Sequence, residues 1–314
     1  IIGVTNDPAY NYVQCHVSAS NPSLNIAADN AEDAATDTTD NFFRTVVTDL
    51  FQGNEMASYA QAQGWTKVGI YYVDDAFGQG LSGVIEGALG SDVSQSIAFP
   101  AGEFDVAGEL DNLNALLNGG LDAIMLPTLK ESSPFIISYL VDEGFTGSIV
   151  LSDGAKTDDI FTTVDGLTAW LAEDYNDMVG FEPNNFAGKN SADFSTAFTA
   201  DVGEEPNTYS PTAYDCAMGF AMAMLYSGDD ISRDTLRTNL GKFKESNRSD
   251  SETEVGIGAA GLEAAAAAIA AGGSVNYEGA SGKLMFDDEG DRIGLGMRQF
   301  TVNSSTDGWD YTDL

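Results

Sequence analysis

Short apolar runs of strand length, alternating with segments of helix length, constrain this chain more than any other feature. Val68-Gly-Ile-Tyr-Tyr-Val73 is six residues long, too short for a helix and typical of a parallel strand buried on both faces. A helix is predicted before it, opening at Asp49, running through Gln63 and stopping at Gly64, a good C′ residue. After it come Asp74 and Asp75, then Phe77-Gly-Gln-Gly80 where the next helix begins. The same rhythm recurs at 93–99, 123–126 and 148–151, each followed by a helical stretch. Strands alternating with helices predict a parallel, right-handed, doubly wound sheet. In such sheets ligands bind outside the carboxyl ends of the strands. The residues just after each run are therefore the first candidates for a site.

Several stretches carry a family resemblance: Asn41-Phe-Phe-Arg-Thr45, Gly64-Trp-Thr-Lys-Val68, Asp74-Asp-Ala-Phe-Gly-Gln-Gly80 and Gly203-Glu-Glu-Pro206 with Ala213-Tyr-Asp215. The late segment 275–291 belongs with them. Together they resemble the extracytoplasmic substrate-binding proteins of branched-chain amino-acid-type ABC importers, the type I periplasmic-binding-protein or Venus-flytrap family. The resemblance covers nearly the whole chain. It implies an α/β fold of two doubly wound parallel-sheet lobes joined by a hinge. The first lobe is expected to hold 1–46 and 176–290, the second 47–175 and 291–314. Measured against the family, the first lobe lacks its amino-terminal strand–helix–strand–helix portion. The chain opens without Met at Ile1, inside what reads as a core strand, and so looks like a processed or truncated product.

The implied function is a solute-binding receptor, not an enzyme. It captures a small polar ligand (an amino acid, an amide or a related compound) between two lobes and delivers it to the membrane subunits of an ABC importer. An exported, extracellular or cell-surface location follows, with a membrane tether in a segment outside this chain. The alternative is a ligand-binding sensory domain that signals to a membrane partner.

The resemblance also assigns site residues. Thr5, Asn6 and Asp7 take the positions of small hydroxyl residues that hold a ligand carboxylate at a helix start; a plain N-cap explains them as well. Asn30 and Ala31 replace the family's Ala-Thr pair, and Asp29 adds a further polar group. That departure turns the expectation from an ordinary α-amino acid toward an amide, a polyamine-like cation or a metal-assisted ligand. Phe77 and Leu129 take wall positions. Lys130 next to Leu129 could meet an acidic group, although a solvated helix-start lysine is the better reading. Asp153, with Gly154, matches the acidic residue that pairs with the ligand ammonium, a charge-assisted hydrogen bond. An Asp turn in which Gly154 supplies a positive φ accounts for the same two residues.

Composition narrows the partners. The 314 residues carry 49 acids against 13 bases, a formal net charge of −36. No basic footprint exists to neutralise phosphates, so nucleic acid is excluded as a partner. Acids spread along the whole chain read as a hydrated surface suited to concentrated salt, hence a halophilic source, rather than as metal sites. Cys15 and Cys216 each fall in a predicted helix and read as buried free thiols; with the single His16 they cannot form a closed zinc site, and no metal or cofactor is expected. Asp287-Asp-Glu-Gly-Asp291 lacks the spacing of a calcium loop and reads as a tight turn at Gly290. Residues 242–254 read as a polar, disordered insert, and Asn247 and Asn303 open glycosylation-type triplets. No nucleophile elbow or Walker loop is present.

Overall fold

The computed structural model describes residues 12–25, 41–249 and 251–314. In chain order its strands are β1 (Gln14–His16), β2 (Phe42–Arg44), β3 (Val68–Asp74), β4 (Val93–Pro100), β5 (Ala123–Leu126) and β6 (Ser148–Leu151). They continue as β7 (Asp177–Pro183), β8 (Thr253–Val255), β9 (Val275–Tyr277), β10 (Met297–Asn303) and β11 (Gly308–Asp313). Two compact units result. The first comprises the described parts of Ile1–Thr48 with Pro183–Gly296, the second Asp49–Glu182 with Met297–Leu314.

The second unit is built on a seven-stranded sheet in the order β4-β3-β5-β6-β7-β10-β11. From β4 to β7 every pair is parallel, and β10–β11 closes one edge as an antiparallel hairpin. The apolar runs form these strands because every residue of β5 and β6 is buried and β3 is buried over most of its length. Tyr71, Phe99, Leu126, Ile137, Leu151 and Trp170 belong to one contiguous core. β7 and β10 approach closely at Gly180, where an added Cβ would stand 2.0 Å from the Phe300 ring. The helix Asp49–Gln63 runs as its sequence predicts, and β3 and β4 each extend one residue past the expected run.

In the first unit β1 pairs in parallel with β2, and β8 with β9. Its core gathers Phe43, Met222, Leu240, Phe243, Tyr277 and Phe286. Asp215 sits fully buried on the helix Ser210–Ser227. Its Oδ1 accepts from Tyr277 (2.9 Å) and the Ala280 N–H (2.7 Å), its Oδ2 from the Ser281 N–H (2.8 Å) and hydroxyl (2.5 Å). The Ala-Tyr-Asp stretch therefore holds the 279–281 turn. Arg44 makes a bidentate pair with Asp291, Nε at 2.6 Å and Nη2 at 2.7 Å, and also donates to the carbonyls of Ala19 and Asn21.

Several expectations change. Cys15 and Cys216 are joined in a disulfide rather than free, with Cα atoms 6.0 Å apart. Cys15 and His16 lie in β1, not in a helix, and that strand meets the helix carrying Cys216. Residues 22–25 form a 3-10 turn. The described residues of the 242–254 insert are ordered: Phe243 and Lys244 are buried, 3-10 turns span Gly241–Phe243 and Glu245–Asn247, and β8 begins at Thr253. The crossings between units fall at 48/49, 182/183 and 296/297. The second lies beyond 175/176 because Asp177–Pro183 pairs with β6 as a further strand of the second unit. The third lies beyond 290/291 because Asp291 is held by Arg44 and Arg292 is buried near Asp215, both in the first unit. Burial lowers the Arg292 pKa to about 10, partly opposed by the Asp215 charge.

Candidate functional site

The carboxyl ends of β3, β5 and β6 bring the described candidates to one face of the second unit. After β3, Asp75 caps the helix Ala76–Leu89 by accepting from the Gly78 N–H at 2.9 Å, which sets Phe77 in that helix's first turn. After β5, the Thr128 hydroxyl bonds the Ser132 hydroxyl at 2.5 Å, and the Leu129 carbonyl accepts from the N–H groups of Ser132 and Ser133. Leu129 is left 37% exposed. After β6, Ser152 is fully buried and donates to the carbonyls of Leu126 and Thr128. That contact fixes the turn holding Asp153 and Gly154 against the loop holding Thr128 and Leu129.

Gly154 is required here by space. A Cβ on it would stand 2.7 Å from the Thr128 carbonyl oxygen and 3.0 Å from the Phe77 ring. It is not among the glycines with positive φ, so the left-handed turn considered from sequence is not the reason for a glycine. Gly154 thus packs against both the Thr128 carbonyl and the Phe77 ring, with Asp153 preceding it in the turn. Asp153 Oδ1 accepts from its neighbour's N–H, Gly154, at 2.8 Å and from Gln52 Nε2 at 3.1 Å. Gln52 is buried and also donates to the Phe181 carbonyl at 2.5 Å. The other candidates, Thr5, Asn6, Asp7, Asp29, Asn30 and Ala31, lie outside the described residues. Lys130 is exposed.

Sequence reasoning missed two features. One is Gln52, an ordinary residue for a helix interior whose partner lies 101 positions away. The other is a buried ion cluster at the end of β7. Glu182, with no exposed side-chain surface, takes Lys156 Nζ on both oxygens (3.2 and 3.0 Å) and Arg298 Nε on Oε1 (2.6 Å). Lys156 also donates to the Tyr311 hydroxyl at 2.6 Å, and both cations lie over the Tyr311 ring. Lys156 belongs to the same turn as Asp153, whose carbonyl accepts its N–H at 3.3 Å. A charged residue directly after the apolar Met178-Val-Gly-Phe181 was the available signal.

Among the described residues no group of three or more His, Cys, Asp or Glu could hold a metal ion. In the 287–291 turn, Asp287 Oδ1 accepts from the N–H groups of Glu289 (3.1 Å) and Asp291 (2.8 Å), Gly290 takes φ 97°, and Asp291 is committed to Arg44. Among the described residues no helix is long and apolar enough to cross a membrane.

Comparison with known proteins agrees with this architecture. No curated protein sequence matches the chain. Among solved structures, a leucine-binding protein, LivK, from Thermotoga maritima superposes with a TM-score of 0.72 at 18% identity, over 99% of this chain and 75% of that one. A solute-binding protein of an ABC transporter from R. palustris, in complex with benzoate, gives 0.67 at 10% identity over 100% and 72%. The branched-chain amino-acid binding protein LivJ from Streptococcus pneumoniae, in complex with isoleucine, gives 0.62 at 17% over 90% and 70%. These likenesses fix the fold, that of the type I periplasmic binding proteins. The family described as receptor family ligand binding region matches residues 20–298. With that match spanning most of its length, the chain belongs to the receptor family of ligand-binding regions.

Proposed function

We propose that the chain is a solute-binding receptor that captures a small polar ligand for an ABC importer, with Asp153 receiving a cationic or N–H-bearing head of that ligand. The observation that carries this reading is the turn after β6, in which Asp153 accepts from the Gly154 N–H and Gly154 packs against the Phe77 ring. Leu129 extends the wall. The first-unit candidates named from sequence complete the expected ligand set, and delivery to membrane subunits follows from the family. The reading is non-enzymatic, in keeping with relatives that are transport binding proteins. The disulfide supports an exported protein, because such bonds persist in oxidising compartments. A membrane tether outside this chain belongs to the same proposal.

A thermal-shift panel in about 1 M salt tests it, using L-leucine, short amides, urea, polyamines and benzoate on this chain and on one extended upstream. A ligand at a hundred times its dissociation constant adds about 2.7 kcal/mol of stability. The expected result is a hit among compounds with an ammonium or amide head, weakened about 10- to 100-fold by Asp153→Ala through loss of a charge-assisted bond. Hits confined to benzoate, or an unchanged affinity in Asp153→Ala, overturn the assignment of Asp153. Silence from both chains favours a sensory domain over a transport receptor.

A further inference from the structure

We infer that Gln52 is the positioning residue for Asp153 and, through it, sets the preference for a ligand that carries an ammonium or amide N–H head. The inference rests on the reading of Asp153 as a ligand contact. Gln52 lies in the first turn of the helix Asp49–Gln63, just after the chain enters the second unit. It is only 3% exposed. A carboxamide nitrogen carries two protons, and here both are used: one toward Asp153 Oδ1 at 3.1 Å, one toward the Phe181 carbonyl at 2.5 Å. Phe181 is on β7, next to the β6 strand whose end carries Asp153. Gln52 therefore ties the turn after β6 to the neighbouring strand, with the site carboxylate as one of the two tie points.

Two donors, Gln52 Nε2 and the Gly154 N–H, converge on one oxygen of Asp153. The Gly154 bond is local and moves with the turn. The Gln52 bond comes from a different element and ties the carboxylate to the sheet. Removing the amide takes away that tie, so the loss falls on the part of the ligand that Asp153 contacts. A merely structural role for Gln52 weakens all ligands alike.

The test compares two probes on the intact chain by calorimetric titration: L-leucine and 4-methylpentanoate, which has the same alkyl body and carboxylate but no amino group. The variants are Gln52→Met, which keeps length and loses both protons, Gln52→Glu, which keeps shape and reverses the polarity, and Asp153→Ala. We expect Gln52→Met to lower the leucine-to-methylpentanoate affinity ratio about tenfold, and the double variant with Asp153→Ala to lower it no further than Asp153→Ala alone. Gln52→Glu serves where the Met variant does not fold, and the same fall in ratio is expected. A ratio lowered by Asp153→Ala but unmoved by either Gln52 variant overturns the role of Gln52 and leaves the site standing. If neither probe binds, or Asp153→Ala leaves the ratio unmoved, the site reading fails for this ligand class. A crystal structure of Gln52→Met then decides the positioning claim separately: an Asp153 carboxylate turned out of its wild-type orientation supports it, and an unmoved one refutes it.

Discussion

Asp153 and Glu182 are both carboxylates at strand ends of one sheet, and their surroundings differ. Asp153 is half-exposed in the turn whose Gly154 packs on Phe77, whereas Glu182 is sealed and shared by Lys156 and Arg298. Glu182→Ala takes away the carboxylate that two nearly buried cations share, and breaking such a cluster costs about 3–5 kcal/mol. Urea unfolding should show a loss of that size; a change under about 0.5 kcal/mol, as for an ordinary surface substitution, refutes the cluster as a structural element. His16 offers a pH test. Burial lowers its pKa below 6.5, assisted by the Arg44 charge. The folded state thus binds that proton less well than the unfolded chain. Its stabilising contribution is complete above pH 6.5 and is lost as pH falls from there through the folded value. As the chain's single histidine, it can be followed alone by NMR, and a midpoint at or above 6.5 contradicts the account. The sequence placed Asp153 just after a buried run, and the structure puts it in the turn after β6, where the Gly154 N–H and Gln52 donate to it. Gln52 was not legible in the sequence, because glutamine suits any helix and its two partners come from strands far along the chain.

At the scale of elements, legibility followed burial. β5 and β6 are wholly buried runs and match the sequence reading residue for residue. β7 begins at Asp177 and carries Glu182 near its end, and those charges hid a strand that is buried from Met178 onward. The insert at 242–254 looked disordered because its sequence is polar, yet Lys244 donates to the Asp288 carbonyl and Asn247 to that of Gly241. The disulfide was missed for a related reason. β1 is three residues long, too short to show an alternating pattern, so Cys15 could not be placed opposite the helix Ser210–Ser227. The bond closes a span of 201 residues, and removing a native disulfide typically costs about 2–5 kcal/mol. Cys15→Ser with Cys216→Ser, or reduction of the intact chain, should lower the melting temperature accordingly. An unchanged melting temperature under reductant is the contrary result.

For the whole molecule, the net charge of −36 dominates behaviour in solution. Self-repulsion of this size opposes compactness, and at 1 M salt the screening length falls to about 3 Å. Stability should therefore rise with sodium or potassium chloride between about 0.1 M and 1 M, read as an increase in the urea midpoint; a flat or falling midpoint contradicts a surface adapted to salt. Charge says nothing of the ligand, and neither does the fold, which leucine, isoleucine and benzoate binders share. In the proposed reading that question belongs to Phe77, Leu129, Asp153 and Gly154. The most direct test is a crystal structure of the chain with the strongest hit from the ligand panel. The account predicts a ligand nitrogen within hydrogen-bond reach of the Asp153 carboxylate, about 2.7–3.2 Å, with the Phe77 ring against the ligand body. A ligand bound elsewhere, or one whose polar head turns away from Asp153, contradicts it.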